Sequence, residues 1–347
     1  MELSGEKYAR VAMSQLPPVP ISVPTLSVVV PAFNEEEVLP AFNKRLSDAL
    51  SKLDLSYEII FVNDGSTDNT MDVLRSLHAA DSHIVVVSLS RNFGKEIALT
   101  AGLEHVRGEA AVVIDADLQD PPEMIGALVE QWRAGYDVVY ARRTRRDGET
   151  ALKKLTAHLF YRIIRHVGGV DIPEDTGDFR LLSRRAVTSL LKLREQHRFM
   201  KGLFAWIGFP RKAVEYSRDP RFAGETKWNY WKLWNYALEG ITSFTIAPLK
   251  IATYLGFTVA VFAFGYAAYV VYKTLMYGDP VRGYPSLMVV VLFLGGVQLV
   301  FIGILGEYLG RTFNESKRRP LYFVSELLRV DESLQSIDDE TSLSRSG

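Results

Sequence analysis

The stretch Ala110-Ala-Val-Val-Ile-Asp-Ala-Asp-Leu-Gln-Asp-Pro-Pro122 decides how the rest of the chain is read. An apolar run over Ala111–Ile114 stops abruptly at Asp115-Ala116-Asp117. Short runs of this kind suit a strand buried on both faces, as in a parallel sheet covered by helices. Open α/β sheets bind their ligands beyond the carboxyl ends of the strands. Two carboxylates at that edge, followed by Gln119 and Asp120, supply hard oxygen ligands of the kind Mg²⁺ or Mn²⁺ takes. Such a metal commonly holds a diphosphate. A plain polar turn, with Pro121-Pro122 opening the next helix, would use the same residues. The weight of the motif therefore depends on its surroundings.

Working outward, the neighbouring segments repeat one pattern. Leu26–Pro31 is a β-branched run that predicts a first strand. After it, Glu35, Glu36 and Glu37 suit the first turn of a helix, where acidic residues complement the macrodipole. That helix runs through Leu39, Phe42, Leu46 and Leu50. Tyr57–Asn63 predicts a second strand, and Asp64-Gly65-Ser66-Thr67-Asp68 is turn chemistry. Ser66 or Thr67 is placed to cap a helix from about Asn69 to His78. Ile84–Leu89, Ala110–Ile114 and Asp137–Ala141 predict three more strands, with helices over Glu96–Val106 and Pro122–Arg133 between them. This alternation predicts βαβ units and a mostly parallel sheet. Asn34 and Glu35, Asp64, Asp115 and Asp117, and Arg143 all follow strand ends, so they fall on one edge. No GxGxxG follows the first strand and no GxxxxGK[ST] occurs, which argues against dinucleotide-binding Rossmann and P-loop readings.

Beyond the last strand, Thr150 to about Arg165 is helical and basic. Asp175–Arg180 breaks that pattern, and Leu181–Leu193 predicts a helix. Arg221–Trp228 is a polar loop with two cations. Residues 229–248 are rich in Trp, Tyr and Phe, with Lys232 and Glu239 among them. This mix fits an amphipathic segment at a membrane interface.

The 347 residues divide by composition: about two-thirds is mixed and charged, while Lys250–Gly310 is dominated by apolar residues. Net charge is -1, which gives no sign of nucleic-acid binding, and there are no cysteines for disulfides, thiolate metal sites or a Cys nucleophile. Met1–Pro24 reads as a flexible lead-in with no apolar signal segment. Two uncharged stretches, Ile251–Tyr272 and Gly283–Gly306, are each long enough to cross a hydrocarbon core of roughly 30 Å, with spans expected at about 251–272 and 285–307. A short turn around Gly278-Asp279-Pro280 makes them a hairpin. Lys227, Lys232 and Lys250 precede it and Arg311, Lys317, Arg318 and Arg319 follow, so the positive-inside rule puts both ends in the cytoplasm. Gly295, Gly296, Gly303, Gly306 and Gly310 permit close helix contact. The tail after Leu328 is acidic and Ser-rich, a composition that favours disorder. The expected organisation is a lead-in over 1–24, an α/β domain over 25–228 and an interfacial segment over 229–248. A two-helix membrane part over 249–310 and a cytoplasmic tail over 311–347 complete it.

Four motifs carry a resemblance: Val-Val-Pro-Ala-Phe-Asn-Glu-Glu (29–36), Val-Asn-Asp-Gly-Ser-Thr-Asp (62–68), Leu-Ser-Arg-Asn-Phe-Gly-Lys-Glu (89–96) and Asp-Ala-Asp-Leu-Gln-Asp-Pro-Pro (115–122). They resemble those of GT-A-fold, family 2 glycosyltransferases. Thr-Gly-Asp-Phe-Arg-Leu (176–181), Arg-Phe-Met-Lys-Gly-Leu-Phe-Ala-Trp (198–206), Gly-Glu-Thr-Lys-Trp-Asn-Tyr (224–230) and the hairpin resemble the membrane polyprenyl-phosphate glycosyltransferases. The bactoprenol glucosyltransferase type is the most similar, and the dolichyl-phosphate mannose synthases are related.

The resemblance implies inverting transfer of glucose from UDP-glucose to undecaprenyl phosphate on the cytoplasmic face of the plasma membrane. It also implies Mg²⁺ or Mn²⁺ as cofactor and a homo-oligomer packed through the glycine-rich helices. Asp117 and Gln119 would hold the metal. Asp115 and Asp64 would hold the ribose and uracil, with Pro31, Asn34 and Glu35 lining the pocket. Lys95 would pair with a phosphate or with Asp64. Arg143, Lys153, Arg221 and Lys227 would surround the acceptor phosphate, and Asp178 is the family's catalytic residue. Two further readings stay open. The same chemistry could use GDP-mannose, a UDP-N-acetylhexosamine or an aminoarabinose donor, or the chain could be a non-catalytic nucleotide-sugar-binding scaffold.

Overall fold

The computed structural model describes residues 24–144, 173, 176–216, 247–277 and 283–330. The lead-in up to residue 23, the helical reading of 150–165, the Arg221–Lys227 loop, nearly all of the interfacial segment and the tail after 330 lie outside the described residues. Lys153, Arg221 and Lys227 therefore lie outside them too.

Five apolar runs form strands where the sequence predicts them: β1 (Leu26–Ala32), β2 (Tyr57–Asn63), β3 (Ile84–Leu89), β4 (Ala110–Val113) and β5 (Val138–Arg143). The intervening helices are α1 (Leu39–Leu50), α2 (Thr70–Ala80), α3 (Lys95–Glu104) and α4 (Ile125–Arg133), the last led in by a 3₁₀ turn over Pro122–Met124. β6 (Thr176–Ser183), α5 (Arg184–Leu190), α6 (Met200–Trp206) and β7 (Arg211–Tyr216) follow. The long helices α7 (Ala247–Tyr277) and α8 (Tyr284–Ser316), then β8 (Val324–Leu328), complete the described elements.

The eight strands form one sheet in the order β7-β5-β6-β4-β1-β2-β3-β8. β4, β1, β2 and β3 are mutually parallel, while β6 is antiparallel to β4 and to β5, and β8 is antiparallel to β3. One face packs Phe42, Leu46, Leu74 and Leu128 from α1, α2 and α4 against Val28, Phe61 and Val112. The other packs Leu99, Ala186 and Leu203 from α3, α5 and α6 against Val29, Ile60 and Val113. Burial on both faces explains the uninterrupted apolar runs of the central strands.

Three local readings are corrected. Leu181–Ser183 belongs to β6, not to a helix; the helix starts at Arg184, with the Ser183 hydroxyl accepting from the Ala186 amide at 3.3 Å. Pairing with β4, Ala110 opposite Ser183 through Val113 opposite Arg180, overrides the helical look of the segment. Glu35, Glu36 and Glu37 precede α1 rather than forming its first turn. Ser66 and Thr67 do not cap α2; they bond to Asn34 instead.

α7 and α8 contain 31 and 33 residues, about 46 and 50 Å at 1.5 Å per residue, which exceeds a hydrocarbon core of roughly 30 Å. α7 runs past its uncharged stretch at both ends and α8 past the C-terminal end of its own, and the two pair as a hairpin, Phe301 lying 3.2 Å from where a side chain on Gly256 would begin. Their apolar side chains face outward, Phe262 being 74% and Leu275 80% exposed. Apolar surface on that scale marks a face made for another medium or partner.

Candidate active site

Strand direction explains the site. β1, β2 and β4 end on one edge of the sheet, and β6, running the other way, begins there. Extending the β4–β6 register two residues past Val113 and Arg180 sets Asp115 opposite Asp178. α3 opens on the same edge, and the Lys95 ammonium joins the two carboxylates. Nζ lies 2.7 Å from Asp115 Oδ1, 2.8 Å from Asp115 Oδ2 and 2.5 Å from Asp178 Oδ2. The Lys95 side chain is 43% exposed, whereas that of Asp178 is only 10% exposed. The lysine thus reaches in from the cleft to a pair of sheltered carboxylates.

The electrostatics follow from that geometry. Burial works against ionisation of Asp178, but Lys95 and Lys201 outweigh it and hold its carboxyl well below the ordinary range. Burial holds the Asp115 carboxyl above its ordinary range despite Lys95, and Asp178 beside it adds to the effect. Burial also pulls on the Lys95 ammonium, but Asp115 and Asp178 more than compensate and hold it protonated well above its ordinary range. The cluster therefore favours a charged Lys95 and an anionic Asp178 at neutral pH.

Among the remaining expected residues, Asp64 is buried. Its oxygens accept from the Phe93 amide at 2.7 Å and the Gly94 amide at 2.9 Å. It pins the turn that leads into Lys95 and does not pair with Lys95, so that alternative is corrected. Gly65 lies beside it at φ 63, and a Cβ there would sit 2.2 Å from the Arg91 carbonyl carbon. Only glycine allows the two loops to meet so closely.

Asn34, left-handed at φ 54, donates its amide to Ser66 Oγ at 3.0 Å and accepts the Thr67 amide on Oδ1 at 2.9 Å. The Glu35 amide donates to Thr70 Oγ1 at 2.9 Å. Asn34 and the Glu35 backbone staple the loop after β1 to the loop after β2. Pro31 is half-buried in β1, opposite Val62.

Asp117 is half-buried, and its Oδ1 accepts the Gln119 amide at 3.1 Å. The intervening Leu118 stands at φ 58, a left-handed conformation that a leucine adopts only under constraint. The chain therefore reverses directly after the carboxylates. Among the described residues no three His, Cys, Asp or Glu side chains converge as a complete metal cage. The donors present, Asp117, Gln119 and Asp115, are nevertheless all oxygens. Asp178 Oδ1 is buried with no hydrogen-bond partner among the described residues. Such a set fits a hard dication that takes its remaining ligands from a bound diphosphate.

Asp120 turns inward and accepts the Tyr216 hydroxyl. Arg143 Nε donates to the same hydroxyl at 3.4 Å. The Arg143 guanidinium also crosses Gly177, where a Cβ would lie 3.3 Å from Nη2. Tyr216, Gly177, Arg180, Glu96 and Lys201 were not singled out from the sequence as site residues. Arg180 clamps the start of β6, donating to the Gly177 carbonyl at 2.7 Å and the Asp178 carbonyl at 3.2 Å. The legible signal was Thr-Gly-Asp-Phe-Arg itself, a charged run that becomes a fully buried strand.

Comparison with known proteins agrees with this arrangement. Residues 27–191 match the family "Glycosyl transferase family 2", and residues 247–312 match "GtrB C-terminal hairpin". The bactoprenol glucosyl transferase of Shigella phage SfV is 50% identical over 299 residues, 86% of this chain and 97% of that protein. A prophage bactoprenol glucosyl transferase homolog of Escherichia coli K12 is 49% identical, over 86% of this chain and 98% of its own length. An uncharacterized glycosyltransferase of Synechocystis is 53% identical, over 87% of this chain and 95% of its own length. With a mostly parallel sheet that gathers Asp115, Asp117 and Asp178 on one edge, and a C-terminal apolar hairpin, the chain belongs to glycosyltransferase family 2 and is a glycosyltransferase.

Proposed function

We propose that this chain transfers glucose from UDP-glucose to undecaprenyl phosphate, with inversion, giving the β-linked glucosyl phospholipid on the cytoplasmic face of the plasma membrane. What supports the reading is that relatives named bactoprenol glucosyl transferase match it at about half identity over nearly their whole length. The observation that carries the chemistry is the Asp115–Lys95–Asp178 cluster at the sheet edge.

In this reading an oxygen of the acceptor phosphate attacks the anomeric carbon of glucose from the face opposite UDP. The bond from that carbon to the diphosphate oxygen breaks, and UDP leaves. A phosphate monoester with a second pKa of about 6 is mostly dianionic at neutral pH. It needs its charge offset more than it needs a base. Asp178, held below the carboxylate range by Lys95 and Lys201 despite its burial, is a weak proton acceptor at neutral pH. Its role is to hold and orient cations at the reacting centre rather than to take a proton. Arg143 offers a planar fork for phosphate oxygens. Lys153, Arg221 and Lys227 are assigned to the same phosphate from the sequence. Asp117 and Gln119 would hold Mg²⁺ or Mn²⁺, which would neutralise charge on the departing diphosphate. Asp64, Asp115, Pro31, Asn34 and Glu35 shape the nucleotide side.

The hairpin supports a two-span anchor, since α7 and α8 each contain a segment long and apolar enough to cross a membrane. Cations precede and follow it in the sequence, which favours both termini in the cytoplasm. Copies of the chain are proposed to associate through the glycine-rich face of α8.

The test is purified protein in detergent with undecaprenyl phosphate, Mg²⁺ or Mn²⁺ and a panel of UDP- and GDP-sugars, scored by labelled sugar entering the lipid phase. Label from UDP-glucose, lost with EDTA and in Asp117→Ala, is the expected result. Label from another donor alone replaces the sugar. Absence of transfer from every donor, with nucleotide still bound, refutes the proposal.

A further inference from the structure

The transfer reading leaves one group at the cluster without a task. Glu96 follows Lys95 in the first turn of α3, and its Oε2 accepts the amide of Met200 at 3.1 Å. Met200 is the first residue of α6, and Lys201 is the second. Glu96 therefore ties the start of α3 to the start of α6, two elements separated by about a hundred residues of chain.

α6 is held against the site from another direction as well. The Arg180 guanidinium lies 3.8 Å over the ring of Phe204, and Arg180 is the residue that clamps the Gly177 and Asp178 carbonyls. Thr100 Oγ1 on α3 meets Met200 Sδ at 4.0 Å. Lys201, the residue after Met200, opposes the effect of burial on Asp178 and helps keep its carboxylate ionised. Lys95 at the head of α3 contacts Asp178, Arg180 packed on Phe204 of α6 clamps the Asp178 carbonyl, and Glu96 accepts the hydrogen bond that joins the two helix heads.

We propose that Glu96 is a positioning residue for the transfer step: by accepting the Met200 amide it holds α6 against α3, so that Lys95 and Lys201 flank Asp178 together. Glu96 does not touch the donor or the acceptor. The two lysines set the charge on Asp178, and Glu96 sets the spacing of the lysines. The uridine side, at Asp64, is held to the turn before α3 by the Phe93 and Gly94 amides, bonds that do not involve Glu96.

This inference rests on the transfer reading, and the wild type run alongside keeps the two apart. A wild type that transfers no sugar sinks the transfer reading. An active wild type matched by Glu96→Ala in kcat and KM sinks only the role of Glu96. The experiment measures steady-state transfer by the full chain in detergent, UDP binding by calorimetry and the melting temperature. The variants are Glu96→Ala, Glu96→Gln, Lys201→Met and the double variant Glu96→Ala with Lys201→Met.

Loss of the acceptor leaves the Met200 amide unsatisfied, which predicts that Glu96→Ala lowers kcat about ten- to a hundredfold, with UDP affinity changed less than about threefold. Glu96→Gln keeps an oxygen for the Met200 amide and recovers most of that loss. Lys201→Met lowers kcat with UDP binding intact, and the double variant is little worse than the worse single variant, because both act through one arrangement. Equal loss in Glu96→Ala and Glu96→Gln, or loss of UDP binding in step with a fall in melting temperature, overturns the proposal. So does a double variant whose losses multiply. If Glu96→Ala does not accumulate as folded protein, Lys201→Met alone decides, since unchanged kcat there leaves Glu96 nothing to position.

Discussion

Replacing Lys95 by methionine keeps the stem and removes the charge that joins Asp115 to Asp178. The ammonium makes contacts of 2.7 and 2.8 Å to one carboxylate and 2.5 Å to the other, so its loss leaves two anions facing each other with Lys201 as the nearer remaining compensation. Removing one partner of a buried pair costs roughly 3–5 kcal/mol. Lys95 is 43% exposed, so water screens part of that, and about 1–3 kcal/mol is the discounted expectation. At roughly 2–4 °C per kcal/mol for a domain of this size, the melting temperature should fall by about 4–8 °C for a loss in the middle of that range.

The assay is thermal unfolding in detergent without metal or nucleotide, comparing Lys95→Met, Asp115→Asn and the double variant. Asn at 115 removes the repulsion that the missing lysine exposes, so the double variant should melt above Lys95→Met alone. The pH dependence should also change sign. In the wild type the depressed Asp178 carboxyl contributes stability above its unfolded value, near 3.9, and that contribution is lost as pH falls. Without Lys95, burial is less opposed and the carboxyl rises, so acidification should relieve Lys95→Met rather than weaken it. A Lys95→Met protein that melts like the wild type, or a double variant that melts lower still, would refute the cluster as the electrostatic centre of the site.

Three further outcomes are expected. Asp178→Asn should abolish lipid-linked product while leaving UDP binding by calorimetry within about threefold, the loss of one charge at the reacting centre being worth several powers of ten in rate at most. Gly65→Ala should yield little folded protein in a solubility and melting assay, since its Cβ would meet the Arg91 backbone at 2.2 Å and φ is 63. Asp137, whose carboxyl is held down by Arg185 against burial and by Ser183, should contribute stability above its unfolded value near 3.9. That contribution should fade as pH falls below about 4, so Asp137→Asn should flatten the acid limb of a melting-temperature profile.

The central strands and their order of appearance were legible because each is an unbroken apolar run, and the carboxylates stood out because they interrupt those runs. β6 was not legible. It carries Asp178, Arg180 and Ser183 in a fully buried strand, and only tertiary partners make that tolerable: Lys95, the Phe204 ring and Asp137. A helical look across Leu181–Leu193 gave way to pairing with β4, and the cap at Ser183 was the local sign of where the helix begins. β8 was invisible for a different reason. Its five residues lie more than 230 positions from β3, their partner, and nothing local requires a strand there. In the site, the residues read from the sequence were those at strand ends. Of those missed, Gly177, Arg180 and Tyr216 lie on β6 and β7, while Glu96 and Lys201 sit on helix starts, where an acidic or basic side chain looks like surface charge until the other helix is seen against it.

β8 also bears on how the catalytic edge is held relative to the membrane part. After α8 the chain returns to the sheet, where Arg75 grips Glu326 at 2.7 Å and the Ser90 amide donates to the Phe323 carbonyl. The end of α8 is fixed a second time: the Gln196 amide donates to Glu315 at 2.7 Å, and Asn314 bonds His197 at 3.1 Å. Four residues after Gln196 comes Met200, the residue whose amide Glu96 accepts. The apolar hairpin thus meets the sheet through the segment that leads directly into α6, and through a strand beside β3, which leads into α3. α3 and α6, which begin at Lys95 and Met200, are therefore both anchored from the side of α8. With the hairpin in the bilayer, as proposed, and the acceptor phosphate at its surface, that anchoring would fix the height of the reacting centre. Fixing the phosphate and the anomeric carbon in register is worth a large share of a transfer barrier, since positioning alone can supply several kcal/mol.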